Sequence, residues 1–459
     1  MRSVVAGLVS VVAIAAFAPS ASAVDVRFTT MAGVKSPGTP AQYNRVGVLQ
    51  TGPRNARNIL VLNPGTSASS TYFEPLAKTI VSMLPGWQVW AIERRENLLE
   101  DQSMDDAGKA GKATGQQVFD YYLGWLNNTS IQPHFQFIPD ADVAYARDWG
   151  MNTEIGDLRK VVLAAERGGR TVVVGGHSLG GTITTAYATW NFKGKAGADG
   201  LAGLVYIDGG SRPVPVSADQ ATQSLQSLQA GSPWLTVGGL PAPFAGLFQT
   251  TGALGIRLDP NAPSIGQAFP VLPAAFKPPY PVTNAGQYGY ALNVGTSPAS
   301  VALAWAHLGR QDMSTTPAGW DDDGGLTPLR RYADGFSGWG IQGHDGVAWY
   351  HPQRLSIDAG AVANGNANPA QRVLDVHATK GHALPKNLKI YAFAASRGGP
   401  GVLTTARLLA RQSRIPRRDL TLVNRASTYA HNDPALGDPK KDAFVKRLVP
   451  YLKSVAGSW

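Results

Sequence analysis

The chain has 459 residues, of which 44% are hydrophobic and 16% charged, a composition that is typical of a globular protein and excludes a disordered one. It contains no cysteine, which excludes disulfide bonds, zinc–thiolate sites and a cysteine nucleophile. The formal net charge is +10, but the basic residues are scattered, and the one dense group, residues 406–419, is interpreted as a solvated helix face and its exit; no nucleic-acid partner is predicted.

The first 23 residues have the pattern of a cleaved secretory signal. One basic residue precedes an apolar run, and small residues follow at Ala21 and Ala23. The apolar run ends at Pro19 and is shorter than the roughly 20 residues that a membrane span requires. We therefore expect cleavage near Ala23 and an extracellular mature protein.

Short apolar runs alternate with segments of helical spacing along much of the chain. Strands are predicted at residues 24–30, 44–50, 58–65, 86–93, 170–176, 201–210, 387–396 and 419–425. Helices are predicted at residues 72–84, 119–126, 153–169, 178–192 and 401–411, and from about residue 440. This alternation predicts an α/β fold with a mostly parallel central sheet that is flanked by helices.

The segment from 213 to 385 interrupts this alternation. It is rich in Pro, Gly, Trp and Phe, and its most apolar parts are residues 233–248 and 269–281. Because strands and helices resume after it, we predict an insertion into one domain, with a core of residues 24–212 and 386–459. The sequence has no internal repeat that would indicate another architecture.

The stretch TVVVGGHSLGG, residues 171–181, places Ser178 between a predicted strand and a predicted helix. So tight a turn would leave no room for a Cβ at Gly176 or Gly180, and a helix N-terminus favours developing negative charge. In this context Gly-x-Ser-x-Gly resembles the nucleophile elbow of the α/β-hydrolase family, in its secreted lipase and esterase-like branch. The resemblance covers most of residues 40–210 and 386–455, and it implies that Ser178 is the nucleophile of a serine hydrolase.

A serine nucleophile needs a base, and in this family a histidine follows the last strand. His431 has that position, and the resemblance implies that it is the base. Most relatives carry the acid after the penultimate strand, where this chain has neither Asp nor Glu and Ser396 occupies about the expected place. The acid is therefore predicted one strand earlier, at Asp208, with Asp433 as the rival and an unrecognised acid as the remaining alternative.

The family resemblance also implies an oxyanion hole made of two backbone N–H groups. One donor is expected from Leu179, the residue after the nucleophile. The other is expected in the loop after residues 58–63, where Pro64 has no N–H group and Gly65 or Thr66 must donate.

The remaining candidate residues, which are histidines and an acidic run, are interpreted as structural. His177 is expected to point away from the reaction and to be a packing residue, and the histidines of the insertion are expected to be structural. The acidic run at residues 321–325 is interpreted as a solvated turn and not as a calcium site, so neither metal nor cofactor is predicted.

The insertion follows Asp208, where α/β-hydrolases carry their lids, and its composition favours an apolar pocket wall. We therefore expect hydrolysis of carboxylic esters with an apolar acyl or alcohol part, on a small-molecule or lipid substrate and with transient contact with lipid surfaces. A serine peptidase of the aminopeptidase kind and a polyester depolymerase are alternatives within the same fold. A non-catalytic binding protein is the alternative from another class.

Overall fold

The computed structural model describes residues 24–237 and 240–456. The predicted leader, residues 1–23, lies outside the described residues. Eight strands form the central sheet: β1 Val26–Ala32, β2 Arg45–Thr51, β3 Asn58–Asn63, β4 Trp87–Glu93, β5 Thr171–His177, β6 Gly203–Ile207, β7 Lys389–Ala394 and β8 Leu420–Asn424.

The sheet order is β1-β2-β4-β3-β5-β6-β7-β8. Strand β2 pairs antiparallel with both β1 and β4, and every other pairing is parallel. The carboxyl ends of β5, β6 and β7 therefore meet at one edge of the sheet, which is where ligands bind in open parallel sheets.

The described α-helices lie between and beyond these strands: α1 Glu74–Met83, α2 Ser103–Lys109, α3 Gly115–Tyr122, α4 Met151–Ala165, α5 Leu179–Thr189, α6 Ala218–Ala230, α7 Ala242–Leu258, α8 Ile265–Ala268, α9 Asn284–Leu292, α10 Leu329–Ser337, α11 Gln353–Ala359, α12 Pro369–Leu374, α13 Gly401–Gln412, α14 Asp433–Leu436 and α15 Ala443–Ala456. Short 3-10 helices include Ser70–Phe73, Arg95–Leu99 and Ala299–Ala304. None of the helices in the described ranges combines the length and the hydropathy that crossing a bilayer requires.

Helices cover both faces of the sheet. Successive side chains of a strand point to opposite faces, so each strand contributes to two cores. In β3, Leu60 and Leu62 join the core on the side of α1 and α15. Ile59 and Val61 join the core on the side of α4, α5 and α13. A mostly parallel sheet in this strand order, with an antiparallel β2 and helices on both faces, is the α/β-hydrolase fold, which confirms the predicted fold class.

The elements of residues 213–385 divide between the two cores. Helices α7, α9 and α10 pack on the α1 side of the sheet, whereas α11 and α12 pack on the α4 and α5 side. The sequence indicated apolar stretches in this segment without indicating which face each would cover, because that depends on long-range packing. The boundaries of a lid remain a prediction.

Candidate active site

Ser178 occupies a strained backbone position between β5 and α5. Its φ is 55° and its ψ is −123°, a positive-φ conformation that residues with a Cβ rarely adopt. A Cβ on Gly176 would overlap the backbone of Gly180, and a Cβ on Gly180 would overlap the carbonyl of Asn63. The turn therefore requires both glycines, as the sequence predicted. Strain of this kind persists only where the surroundings enforce it, and it often marks an active site.

His431 and Asp208 form a buried pair. The Nδ1–H group of His431 donates to Oδ2 of Asp208 at 2.6 Å, and the two residues are 2% and 1% exposed. The N–H groups of Ala395 and Gly398 donate to Oδ1 at 2.7 and 3.0 Å. Burial alone would raise the pKa of Asp208, but these hydrogen bonds and the neighbouring imidazole outweigh burial and lower that pKa. Asp208 is therefore held as a carboxylate.

A single cavity of about 610 Å³ contains both Ser178 and His431 in its wall. Its volume falls within the roughly 300–1,000 Å³ of small-molecule sites. Apolar side chains dominate the wall: Phe119, Leu235, Leu240, Phe248, Leu272, Phe276, Leu292, Leu303 and Phe336. Phe119 belongs to α3, outside the 213–385 segment, so the wall extends beyond the predicted lid.

Asp433, the alternative candidate for the acid, bonds to groups other than His431. Its Oδ2 accepts from Nδ1 of His307 at 2.6 Å and from the Ala430 N–H at 2.7 Å. Its Oδ1 accepts from the His307 N–H at 2.9 Å and from the Thr327 hydroxyl at 2.8 Å. With four donors on a fully buried carboxylate, Asp433 fixes the loop that carries His431.

Leu179 is the first residue of α5, so its N–H group lies at the helix N-terminus. Gly65 lies against Ser178, since a Cβ built on Gly65 would be 3.0 Å from Ser178 Cβ. Thr66 lines the same cavity. Across residues 24–237 and 240–456, neither the Gly65 nor the Thr66 nitrogen donates to another group.

Arg94 orients this loop, and sequence reasoning did not identify it. The guanidinium is buried and donates to the carbonyl oxygens of Pro64, Gly65 and Ala68 at 2.9–3.0 Å. Glu96 accepts from Nε of Arg94 at 2.7 Å. In a trans peptide the C=O and N–H groups point in opposite directions, so the Gly65 and Thr66 N–H groups point away from Arg94. No local pattern in the sequence indicates this long-range contact.

His177 packs against His431 and bonds to its backbone. It is 3% exposed, its ring lies 4.3 Å from that of His431, and Tyr72 stacks on it at 5.2 Å. Burial lowers the pKa of His177 to about 3, so the ring is neutral near pH 7. Its Nε2–H group then donates to the carbonyl of His431 at 2.9 Å. His177 is therefore a packing residue, as predicted, but it also lines the cavity and does not point away from it.

The acidic run at residues 321–323 pairs locally. Asp321 lies 3.0 Å from Arg310, and Asp322 accepts from the N–H group of Leu329 at 2.9 Å. The described part of the chain contains no group of three or more His, Asp or Glu side chains that could hold a metal ion.

No family model matches the chain, and no curated protein matches it. Three similar solved structures illustrate the range of likeness. A protein provisionally identified as a lipase from Sulfolobus solfataricus is 13% identical at a TM-score of 0.48, over 93% of each chain. A thermostable carboxyl esterase from Bacillus coagulans is 13% identical at 0.40, over 93% of this chain and 98% of that one.

The third, a haloalkane dehalogenase variant from Bradyrhizobium elkanii, is 10% identical at a TM-score of 0.39, over 95% of this chain and 98% of that one. Likeness at this level does not carry an activity over to this chain, because one fold hosts many reactions. The sheet order and the strained turn at Ser178 identify the fold as that of the α/β-hydrolases.

Proposed function

We propose that this protein is a serine hydrolase that cleaves carboxylic esters with an apolar acyl or alcohol part. One observation carries the proposal: the strained Ser178 and His431, which is paired with the buried Asp208, line one apolar cavity. A nucleophile, a base oriented by a carboxylate, and orphan N–H groups beside them are what acyl transfer requires.

In the proposed mechanism, Ser178 Oγ attacks the ester carbonyl carbon while His431 Nε2 accepts its proton. The N–H groups of Leu179 and of Gly65 or Thr66 stabilise the resulting oxyanion. When the tetrahedral intermediate collapses, the C–O bond to the alcohol breaks and His431 returns the proton to the departing alcohol. Water then attacks the acyl-enzyme with the same base, which releases the acid and restores Ser178.

The composition of the cavity argues against the peptidase alternative. No Asp or Glu is among the described residues that line it, and such a group would be needed to hold the free ammonium of an aminopeptidase substrate. Apolar walls instead favour an acyl chain.

A fluorophosphonate probe tests the nucleophile, and substrate panels test the reaction class. The probe should label the wild type and not Ser178→Ala, whereas equal labelling of both would remove the assignment. The wild type should hydrolyse p-nitrophenyl esters much faster than aminoacyl anilides. Faster cleavage of the anilides would favour the peptidase, and release of soluble acids from a polyester film would favour the depolymerase.

We also propose that the protein is exported and that residues 1–23 are removed, on the strength of the leader pattern. N-terminal sequencing of protein recovered outside the producing cell should begin at Val24. An intact Met1 on membrane-retained protein would indicate an anchor.

A further inference from the structure

The loop after β7 carries Arg397 next to Ser396, the position where most relatives carry the acid. In this loop the Arg397 N–H group lies 3.3 Å from Oδ2 of Asp208, and its neighbours Ala395 and Gly398 donate to Oδ1. The side chain of Arg397 therefore begins beside the carboxylate that orients His431. It also lines the cavity that contains Ser178.

Arg397 is the only Arg, Lys, Asp or Glu side chain in the cavity wall formed by residues 24–237 and 240–456. His177, which also lines the cavity, is neutral because burial lowers its pKa to about 3. The other polar lining groups are hydroxyls and amides, such as Gln249, Asn284 and Gln287.

The guanidinium of Arg397 is exposed and lacks an ion pair or side-chain hydrogen bond to the described part of the chain. Other arginines near the site are occupied: Arg94 binds loop carbonyls, and Arg95 pairs with Asp157. A fork of N–H donors at the edge of an apolar cavity is suited to a planar or tetrahedral anion, which it binds through two parallel hydrogen bonds.

We propose that Arg397 is a specificity residue for amphiphilic esters whose alcohol part carries an anionic group, a carboxylate or a phosphate. The acyl chain occupies the apolar cavity, and the charged group stays at the exposed edge, where it remains hydrated and meets the guanidinium. Among the described residues that line the cavity, no Asp or Glu competes for the guanidinium. The inference rests on the proposed ester hydrolysis and names its substrate class.

The test compares the octanoyl ester of 4-hydroxybenzoate with that of methyl 4-hydroxybenzoate, which has the same shape without the charge. Their kcat/KM ratio is measured for the wild type, Arg397→Gln, Arg397→Lys and the control Arg411→Gln. Arg411 lies on the exposed side of α13 and is absent from the cavity wall. The octanoyl ester of 4-hydroxyphenyl phosphate serves as a second anionic substrate, and its ratio distinguishes a phosphate preference from a carboxylate preference.

The ratio of anionic to neutral ester should fall about three- to fivefold in Arg397→Gln, the size expected for one exposed ion pair. It should recover partly in Arg397→Lys and stay unchanged in Arg411→Gln. Added salt at 0.5 M should lower the ratio in the wild type and leave it unchanged in Arg397→Gln.

An unchanged ratio in Arg397→Gln would overturn the inference. An equal loss for both esters would also overturn it, since that result indicates a structural effect through Asp208. Binding affinity measured by calorimetry does not depend on turnover. It therefore distinguishes failure of the anion site from failure of the proposed hydrolysis. Ser178→Ala should bind the anionic ester about three- to fivefold more tightly than Ser178→Ala/Arg397→Gln, and equal affinities would refute the anion site whatever the fluorophosphonate result.

Discussion

Asp208 and Asp433 are both buried carboxylates next to the loop that carries His431, yet they hold different groups. Asp208 binds the imidazole of His431, whereas Asp433 binds His307, Thr327 and the loop backbone. At the scale of single residues, this difference predicts a chemical role for Asp208 and a structural role for Asp433.

Asp208→Asn should lower kcat about 10³- to 10⁴-fold, because a neutral amide neither fixes the imidazole tautomer nor stabilises the imidazolium. Asp433→Asn should lower kcat far less and should instead lower Tm, since a buried carboxylate with four donors is replaced by an amide. Steady-state kinetics and calorimetry on both variants check this pair of outcomes. The reverse ranking in kcat would transfer the acid to Asp433.

The sequence indicated the candidate site wherever the signal was local. Ser178 stands in a glycine pattern between an apolar run and a helix, and His431 follows the last strand. Asp208 was inferred from the missing acid after β7. Arg94 and Tyr72 carried no such signal, because their partners at residues 64–68 and at Asn432 are distant in sequence. The catalytic roles remain predictions.

At the scale of elements, residues 303–307 connect the loop that carries His431 to the cavity wall. We call these residues the anchor segment. The side-chain amide of Asn432 donates to the carbonyls of Leu303 and Trp305 at 2.9 and 3.2 Å. Its carbonyl oxygen accepts from the Tyr72 hydroxyl at 2.9 Å. His307 then pairs with Asp433 on the other side of the loop. The two residues after His431 are thus both tied to the anchor segment.

The His307–Asp433 pair should make stability depend on pH. The hydrogen bond to Asp433 raises the pKa of His307 despite its burial, so the contribution is full below about pH 6.5 and is lost as pH rises through the raised value. Because the His307 side chain is 38% exposed, we expect only roughly 1 kcal/mol, or about 1 °C in Tm.

Calorimetry of the wild type and His307→Gln should therefore give a larger Tm difference at pH 5.5 than at pH 9. His377→Gln is a matched control, because His377 is exposed and pairs with an exposed Asp375. A Tm difference that grows with pH would contradict this assignment.

The strands of the sheet were easier to predict than the helices of residues 213–385. Strands such as β3 and β5 are buried on both faces and appear as short apolar runs with turn residues behind them. Helix α4 begins at Met151, two residues before the predicted start at Thr153. The helices of residues 213–385 were not predicted, although a local signal was present: Ser217 and Gln220 form a capping box at the start of α6.

At the scale of the whole molecule, the cavity should set the preferred chain length. Each buried methylene contributes about 0.8 kcal/mol, so two further carbons should raise kcat/KM roughly tenfold while space remains. Rates on p-nitrophenyl esters should rise from acetate toward medium chains and then level off. A flat or falling series would contradict an apolar acyl site.

Ala304→Leu should lower the octanoate-to-acetate ratio of kcat/KM, because Ala304 lines the cavity and a larger side chain would occupy part of it. Ala302→Leu is the matched control, since Ala302 belongs to the same short helix and does not line the cavity. Equal ratios in the two variants would indicate that the acyl chain does not extend to Ala304.

The anchor segment also limits how the cavity could widen. Displacing Leu303 or Trp305 would break the hydrogen bonds of Asn432, and the adjacent His431 would lose its alignment. Any widening of the cavity that keeps His431 in place must therefore involve other parts of the wall, such as α7 or residues 265–276. In amide hydrogen exchange, His307, Leu308 and Asn432 should therefore be protected to a similar degree. Phe276 and Lys277 should exchange faster than these three residues.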